Sequence, residues 1–188
     1  MQKLQNSTLI RRLTLLSAIL LCGAAAPDAW TRYRIRGTPF EIGLPPGAEF
    51  ERRGPPRAVE DGRYTLREVY GEEEHSDGIV LPLRHGFLSA HVYRGPHVYA
   101  TIARYLVKHR KSAPWGKSDR GLWQGMPTLT AGWKGKAVDG TPQVTVHYVV
   151  EQKGKGTLIL ELNVDEARLD EETPLFVKFK ESLRVAGK

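Results

Sequence analysis

The sequence predicts an α+β domain, a twisted antiparallel β-sheet with helices packed on it. Three observations carry that expectation. Residues 144–150 and 157–164 are two runs dense in β-branched and apolar residues, separated by Lys153-Gly154-Lys155-Gly156. Two such runs across so short a turn make a hairpin, and hence antiparallel pairing. Upstream, Val98, Ile102, Tyr105, Leu106 and His109 recur at the 3.6-residue period of a helix stripe. At the end, Leu175, Phe176, Phe179 and Leu183 give a second helix one apolar face, with Lys178, Lys180 and Glu181 on the other.

Taken in order, residues 33–36 alternate apolar with basic, and 40–44 alternate apolar with small or acidic, each the period of a half-buried strand. Pro45-Pro46-Gly47 and Gly54-Pro55-Pro56 then break the backbone, leaving 49–53 as one short strand. Residues 63–70 and 86–93 read as further strands. The helix that follows Gly95-Pro96 crowds Lys108, His109, Arg110 and Lys111 into its last turn, where cations suit the negative end of the macrodipole, and Pro114 forbids its continuation. Residues 126–138 are a strand ending at the turn dipeptide Asp139-Gly140. For the last helix, Thr173 is the expected N-cap and Pro174 a first-turn proline. Strands, helix, strands, helix is the order of an α+β domain.

The 188 residues carry 28 Lys+Arg against 21 Asp+Glu, a formal charge of +7. The first 26 residues hold three of the bases (Lys3, Arg11, Arg12) and no acid, so without them 162 residues and +4 remain. A chain of that size buries roughly 68–70% of its unfolded surface, enough for one core. The 40% hydrophobic content with 9% aromatics argues against disorder and against a multi-span membrane protein.

The leader has three parts: the basic start, an apolar run from Leu13 to Leu21, and the small residues Gly23-Ala24-Ala25-Ala26. That layout is a secretory signal peptide, residues 1–25, cut after Ala25. It leaves a single domain over 26–188. The apolar stretch is too short for the ~20 residues of a bilayer span. Cys22 sits where bacterial lipoproteins are acylated, but the residue before it is Leu21, where a small residue is wanted. A lipid anchor at Cys22 is therefore the alternative to an incidental cysteine. Cleavage leaves the body with no cysteine, so it holds together without disulfides, and thiolate catalysis, thiolate zinc and iron–sulfur chemistry are excluded.

The segment Phe40-Glu-Ile-Gly-Leu-Pro45-Pro-Gly-Ala-Glu-Phe50, a mid-chain helix before a β-meander, and the closing Leu175-Phe-Val-Lys-Phe-Lys-Glu-Ser182-Leu183 together resemble the PsbP/Mog1-like superfamily, which includes bacterial envelope proteins of the DcrB type. Phe176, Phe179 and Ser182 match the family's Phe-x-x-Phe-x-x-Ser-Phe element, with Leu183 in place of the last aromatic. The resemblance covers roughly residues 33–185, and 71–84 find no counterpart in it. It implies a Mog1/PsbP-like α/β/α sandwich. Members act as photosystem accessory proteins, transport-factor partners and secretion-related adaptors, so a fold follows from it and no functional residue does.

No catalytic motif is present. The six histidines (75, 85, 91, 97, 109 and 147) never stand four apart. His91 and His97, with Glu72, Glu73 and Glu74, are the one combination that could converge on a divalent cation, and solvated or backbone-satisfied histidines are the favoured explanation. The run Glu72 to Gly78 lacks the alternating ligands of a calcium loop. Ser89 and His91 share a strand face without an oxyanion hole or a Gly-x-Ser-x-Gly turn. Gly154-Lys155-Gly156 is a hairpin turn and not a phosphate cradle. The basic segments 108–111 and 134–136 could meet anionic headgroups. Trp115, Trp123 and Trp133, with Met126, are either core aromatics or a groove, and Tyr99, Trp115 and Trp123 form the candidate recognition surface. No catalytic residue, cofactor or metal is assigned. The expected function is a non-enzymatic, exported periplasmic or secreted module that binds a protein or envelope component, with no nucleic-acid partner. The alternatives are a metal-dependent hydrolase built on distant residues around His91 and His97, and a small-ligand carrier.

Overall fold

The computed structural model describes residues 30–46, 48–51, 64–70 and 76–187. The expected leader 1–25, Cys22, Glu72, Glu73, Glu74 and His75 lie outside them. Among the described residues no helix is long and apolar enough to cross a membrane.

The chain builds two sheets and two helices. The strands are β1 (Thr31–Arg34), β2 (Phe40–Leu44), β3 (Ala48–Glu51), β4 (Tyr64–Tyr70), β5 (Ser76–Leu83), β6 (Gly86–Tyr93), β7 (Ala113–Trp123), β8 (Met126–Lys136), β9 (Pro142–Gln152), β10 (Gly156–Asp165) and β11 (Arg184–Val185). Helix α1 (Ile102–His109) lies between β6 and β7, and α2 (Leu169–Glu181) between β10 and β11. The small sheet has the order β1-β2-β11 and the large one β3-β4-β5-β6-β10-β9-β8-β7. Every pairing is antiparallel except β3 with β4, which is parallel. The expected α+β architecture, antiparallel sheet with helices packed on it, is what the chain adopts.

Strand β10 explains the layering. Its residues point alternately to the two faces of the sheet. Leu158, Leu160, Leu162 and Val164 meet Leu88, Ala90 and Val92 of β6 and Ile79, Leu81 and Leu83 of β5 on one face, all buried. Phe40, Ile42 and Leu44 of β2 and Phe176 and Phe179 of α2 close that core from above. On the opposite face, α1 sets Ile102 and Tyr105 against Leu129, Val149 and Ile159.

The closing Phe-x-x-Phe-x-x-Ser element has a physical reason in this packing. Phe176 and Phe179 are buried in the core, and the chain leaves the helix at Ser182 to pair β11 with β2, Arg184 opposite Glu41 and Val185 opposite Phe40. Continuing that register would set Ser182 opposite Gly43. There the Ser182 Oγ replaces a ladder bond: it accepts the Gly43 N–H at 2.8 Å and donates to the Phe179 carbonyl at 2.6 Å. A Cβ on Gly43 would lie 2.8 Å from Ser182 Cβ, so the approach needs glycine. Arg32 of β1 donates to the Ser182 carbonyl as well.

Several expectations need correction. Helix α2 begins at Leu169 and not after Thr173, and Pro174 lies inside it. The acidic turn Asp170-Glu171-Glu172 suits the positive helix end, Leu169 is buried, and Thr173 Oγ1 donates back to the Leu169 carbonyl at 2.7 Å. Helix α1 begins at Ile102, because Thr101 Oγ1 accepts the Arg104 N–H at 3.1 Å as an N-cap; Val98 precedes it and is 48% exposed. Residues 76–83 are strand β5, with Pro82 beyond the last β4 partner, Val80. The stretch after α1 is strand β7, whose alternation is hidden by the register shift between Trp115 and Asp119 and by its solvent-exposed position at the sheet edge. Strand β8 ends at Lys136, short of Val138.

Truncating Phe179 to Ala removes a fully buried ring and is expected to cost about 3–5 kcal/mol in urea denaturation. Ser182→Ala leaves the buried Gly43 N–H without its acceptor and is expected to cost about 1–3 kcal/mol by the same measurement.

Candidate functional site

The face of the large sheet that carries α1 is unusual in being polar along two neighbouring ranks. Cross-strand register sets Ser89 (β6), Glu161 (β10) and His147 (β9) side by side, and next to them Asn163 (β10), Thr145 (β9) and Trp133 (β8). Helix α1 lies over the neighbouring rank and lowers Tyr105 and His109 into the first two. Tyr93 and Tyr99 bound the other side.

A directed chain of hydrogen bonds links these groups. Trp133 Nε1 donates to the Tyr105 hydroxyl at 2.7 Å, and that hydroxyl lies 2.6 Å from His147 Nδ1. Because the Trp donor occupies the hydroxyl as an acceptor, Tyr105 gives its own proton to Nδ1, which leaves the His147 proton on Nε2. Nε2 faces the Glu161 carboxylate at 3.6 Å, and Ser89 Oγ donates to the same oxygen at 3.5 Å. One tautomer thus satisfies the chain from end to end. Asn163 Nδ2 donates to Thr145 Oγ1 at 2.7 Å beside it.

Burial raises the Glu161 carboxyl, but the neighbouring His147 and His91 imidazoles and the bond from Ser89 outweigh it, so Glu161 ionises below the ordinary range. Burial also pushes the Tyr93, Tyr99 and Tyr105 phenols up, each further raised by the Glu161 charge. His91 is lowered by burial against the pull of Glu161. Its ring lies over Gly78, where a Cβ would come within 2.5 Å of Nδ1, so the glycine opposite it on β5 makes the space.

His109 closes the site. Its ring stacks on Trp133 at 4.8 Å with 6° between planes, and near-parallel to Tyr99 at 5.8 Å. Nδ1 lies 3.3 Å from Ser112 Oγ, whereas Nε2 is buried with no hydrogen-bond partner among the described residues. Burial, then His147 and Lys108, bring its pKa down to about 4. A cavity of about 240 Å³ adjoins it, walled by Tyr93, Tyr99, Trp133, His147 and Glu161. Its walls combine aromatic rings with a few fixed polar groups.

The structure divides the three residues expected to form a recognition surface. Tyr99 stands at this pocket, while Trp115, opposite Gly132, and Trp123, opposite Met126, pack on the other face against the main core. The signal for Trp133 was present in its sequence cluster with them, but the alternation of β8 sends it to the α1 side. His91 and His97 each stack on Tyr93, at 5.9 and 4.5 Å between ring centres, and His97 Nδ1 accepts the Tyr99 N–H. Among the described residues no group of three or more His, Cys, Asp or Glu gathers as metal ligands do. Of the basic segments, Lys134 is tied to Glu166 at 2.6 Å.

As pH falls below 6.5, an unfolded His109 takes up a proton that the folded one refuses until about 4, so the folded state is progressively destabilised through that window. Glu161, ionised below the ordinary carboxylate range, extends the loss to lower pH. The urea midpoint is expected to fall on acidification from pH 6.5 to 4, and His109→Phe, which keeps the stack without the titration, to show a flatter profile. Tyr105→Phe strands Trp133 Nε1 and His147 Nδ1 together and is expected to lower stability by about 1–3 kcal/mol.

No family model matches the chain, and no curated relative does. Among solved structures, cyanobacterial PsbP (CyanoP) from Synechocystis sp. PCC 6803 superposes with a TM-score of 0.54 at 16% identity, over 87% of this chain and 96% of that one. A protein of unknown function from Pseudomonas aeruginosa aligns with a TM-score of 0.43 at 12% identity, over 85% of this chain and 99% of that one. With helix α2 and the small sheet closing one face of the meander and α1 the other, the chain has a PsbP-like α+β fold.

Proposed function

We propose that the protein is an exported, non-enzymatic binding module that recognises a protein or envelope component at the pocket beneath α1. The observation that carries this reading is that His147 and Ser89 are already engaged within the polar chain. Tyr105 occupies His147 Nδ1, Glu161 faces Nε2, and the Ser89 hydroxyl, fully buried, is spent on the same carboxylate. A general base needs a free lone pair within reach of a substrate proton, and a nucleophile needs such a base. Here the His147 imidazole and the Ser89 hydroxyl that would serve are held in place by Tyr105 and Glu161. What is left to meet a ligand is the faces and edges of Tyr93, Tyr99 and Trp133, with the second carboxylate oxygen of Glu161 as the hydrogen-bond acceptor among them.

Export is supported by the tripartite pattern over residues 1–25, which would carry the protein to the periplasm or outside the cell. The accessory roles implied by the family resemblance fit a binder of this kind. Tyr99 remains in the proposed surface; Trp133 and His109 join it, and Trp115 and Trp123 serve the packing of the opposite face.

A photo-crosslinking residue placed at Ser112, on the pocket rim, tests the reading in the intact exported chain. The expected result is a discrete adduct from the envelope that disappears with Tyr99→Ala and is absent when the crosslinker sits at the fully exposed Val138. No adduct at Ser112, or the same adducts from Val138, would overturn it.

A further inference from the structure

A second concavity lies outside the pocket just described. Four cations from four separate segments line it: Arg34 at the end of β1, Arg94 after β6, Arg104 in the first turn of α1 and Lys155 in the β9–β10 turn. Its volume is about 870 Å³. The acid among its lining residues, Glu151, is already engaged, accepting the Ile102 N–H at 2.9 Å and so doing for α1 what its first turn, without acidic residues, does not.

Backbone carbonyls orient Arg34 and Arg104, and one binds Arg94 as well. Arg34 Nε donates to Thr38 O at 3.4 Å, Arg94 Nη2 to Gly37 O at 3.0 Å, and Arg104 Nη1 to Gly95 O at 3.1 Å. A carbonyl fixes a guanidinium in place without neutralising it. Arg34, Arg104 and Lys155 form no ion pair with a carboxylate among the described residues. Clustering uncompensated positive charge costs folding energy through mutual repulsion, a cost that an anion relieves. Beside the charges, Phe40, Val92 and Ala100 supply buried apolar wall.

We propose that this cleft binds an organic phosphate, its phosphate group held by Arg34, Arg104 and Lys155 and its carbon skeleton laid on the Phe40–Val92–Ala100 wall. Guanidinium pairs with phosphate oxygens in bidentate geometry, which favours phosphate over a compact halide or a single carboxylate. The volume exceeds what inorganic phosphate fills and suits a ligand with a body. The same chemistry is offered by a soluble phosphate ester and by a lipid headgroup, and the two differ in whether a bilayer is needed.

The test uses the full exported chain with two probes: hexyl phosphate in solution by calorimetry, and vesicles of phosphatidylglycerol against phosphatidylcholine by co-sedimentation. Saturable binding to hexyl phosphate is the soluble-ester outcome, and binding to phosphatidylglycerol vesicles alone is the lipid outcome. In either arm Arg104→Ala with Lys155→Ala is expected to weaken binding at least tenfold, and raised salt to weaken it further. Lys117→Ala with Arg120→Ala, which removes the same charge from the exposed β7, is expected to leave binding unchanged. Lys155→Ala alone, in an exposed turn, gives a several-fold loss and serves should the double variant misfold. No binding in either arm, or equal loss in the two double variants, would overturn the proposal.

Discussion

Strand β10 is the constraint on which both layers of the molecule depend. It is hydrogen-bonded along its whole length to β6 on one side and β9 on the other, joining strands that come from the two halves of the chain. Its even-numbered residues from Leu158 to Val164 are the floor of the main core, and its odd-numbered residues Ile159 and Glu161 are the floor of the pocket beneath α1. A one-residue slip would exchange these sets and drive Glu161 into hydrocarbon. The burial of four aliphatic side chains on one face therefore fixes, through period two alone, which carboxylate meets His147 on the other.

That coupling explains why a polar network tolerates burial here. An isolated carboxylate in such a place would be neutralised. Glu161 stays ionised because the backbone register, set elsewhere, delivers His147 and Ser89 to it as cross-strand neighbours, and α1 delivers Tyr105 to the far side of the imidazole. The helix itself is short, eight residues, and depends on tertiary partners: Thr101 caps one end, and Glu151 of β9 supplies the anion its first turn lacks. The pocket and the helix that roofs it are held by the same two strands.

On the other face, α2 and the small sheet are locked by the meeting of Ser182 with Gly43. Both residues stand in recognisable sequence elements, the closing Phe-x-x-Phe-x-x-Ser and the opening Phe-Glu-Ile-Gly-Leu. Neither element shows that the serine hydroxyl continues a strand register where the backbone stops doing so. The likeness to cyanobacterial PsbP extends over most of this chain at low identity, as expected where a packing solution persists while the side chains that realise it change.

The sequence by itself determined what is local. Strands β2, β6, β9 and β10 and their turns were legible because period-two alternation and Gly-containing turn dipeptides act over a few residues. The existence of both helices followed from stripes such as Phe176 and Phe179. Tertiary structure decided what depends on a partner distant in the chain. Strand β7 is a strand because β8 lies beside it, and α2 starts at Leu169 because a core receives that side chain, against the local preference of Thr173 and Pro174 for a start. The site was the least legible part. Ser89, Tyr105, His147 and Glu161 come from four elements up to 72 residues apart, and each on its own reads as an ordinary strand or helix residue. Only the register of β6, β10 and β9, with α1 laid across it, makes them neighbours.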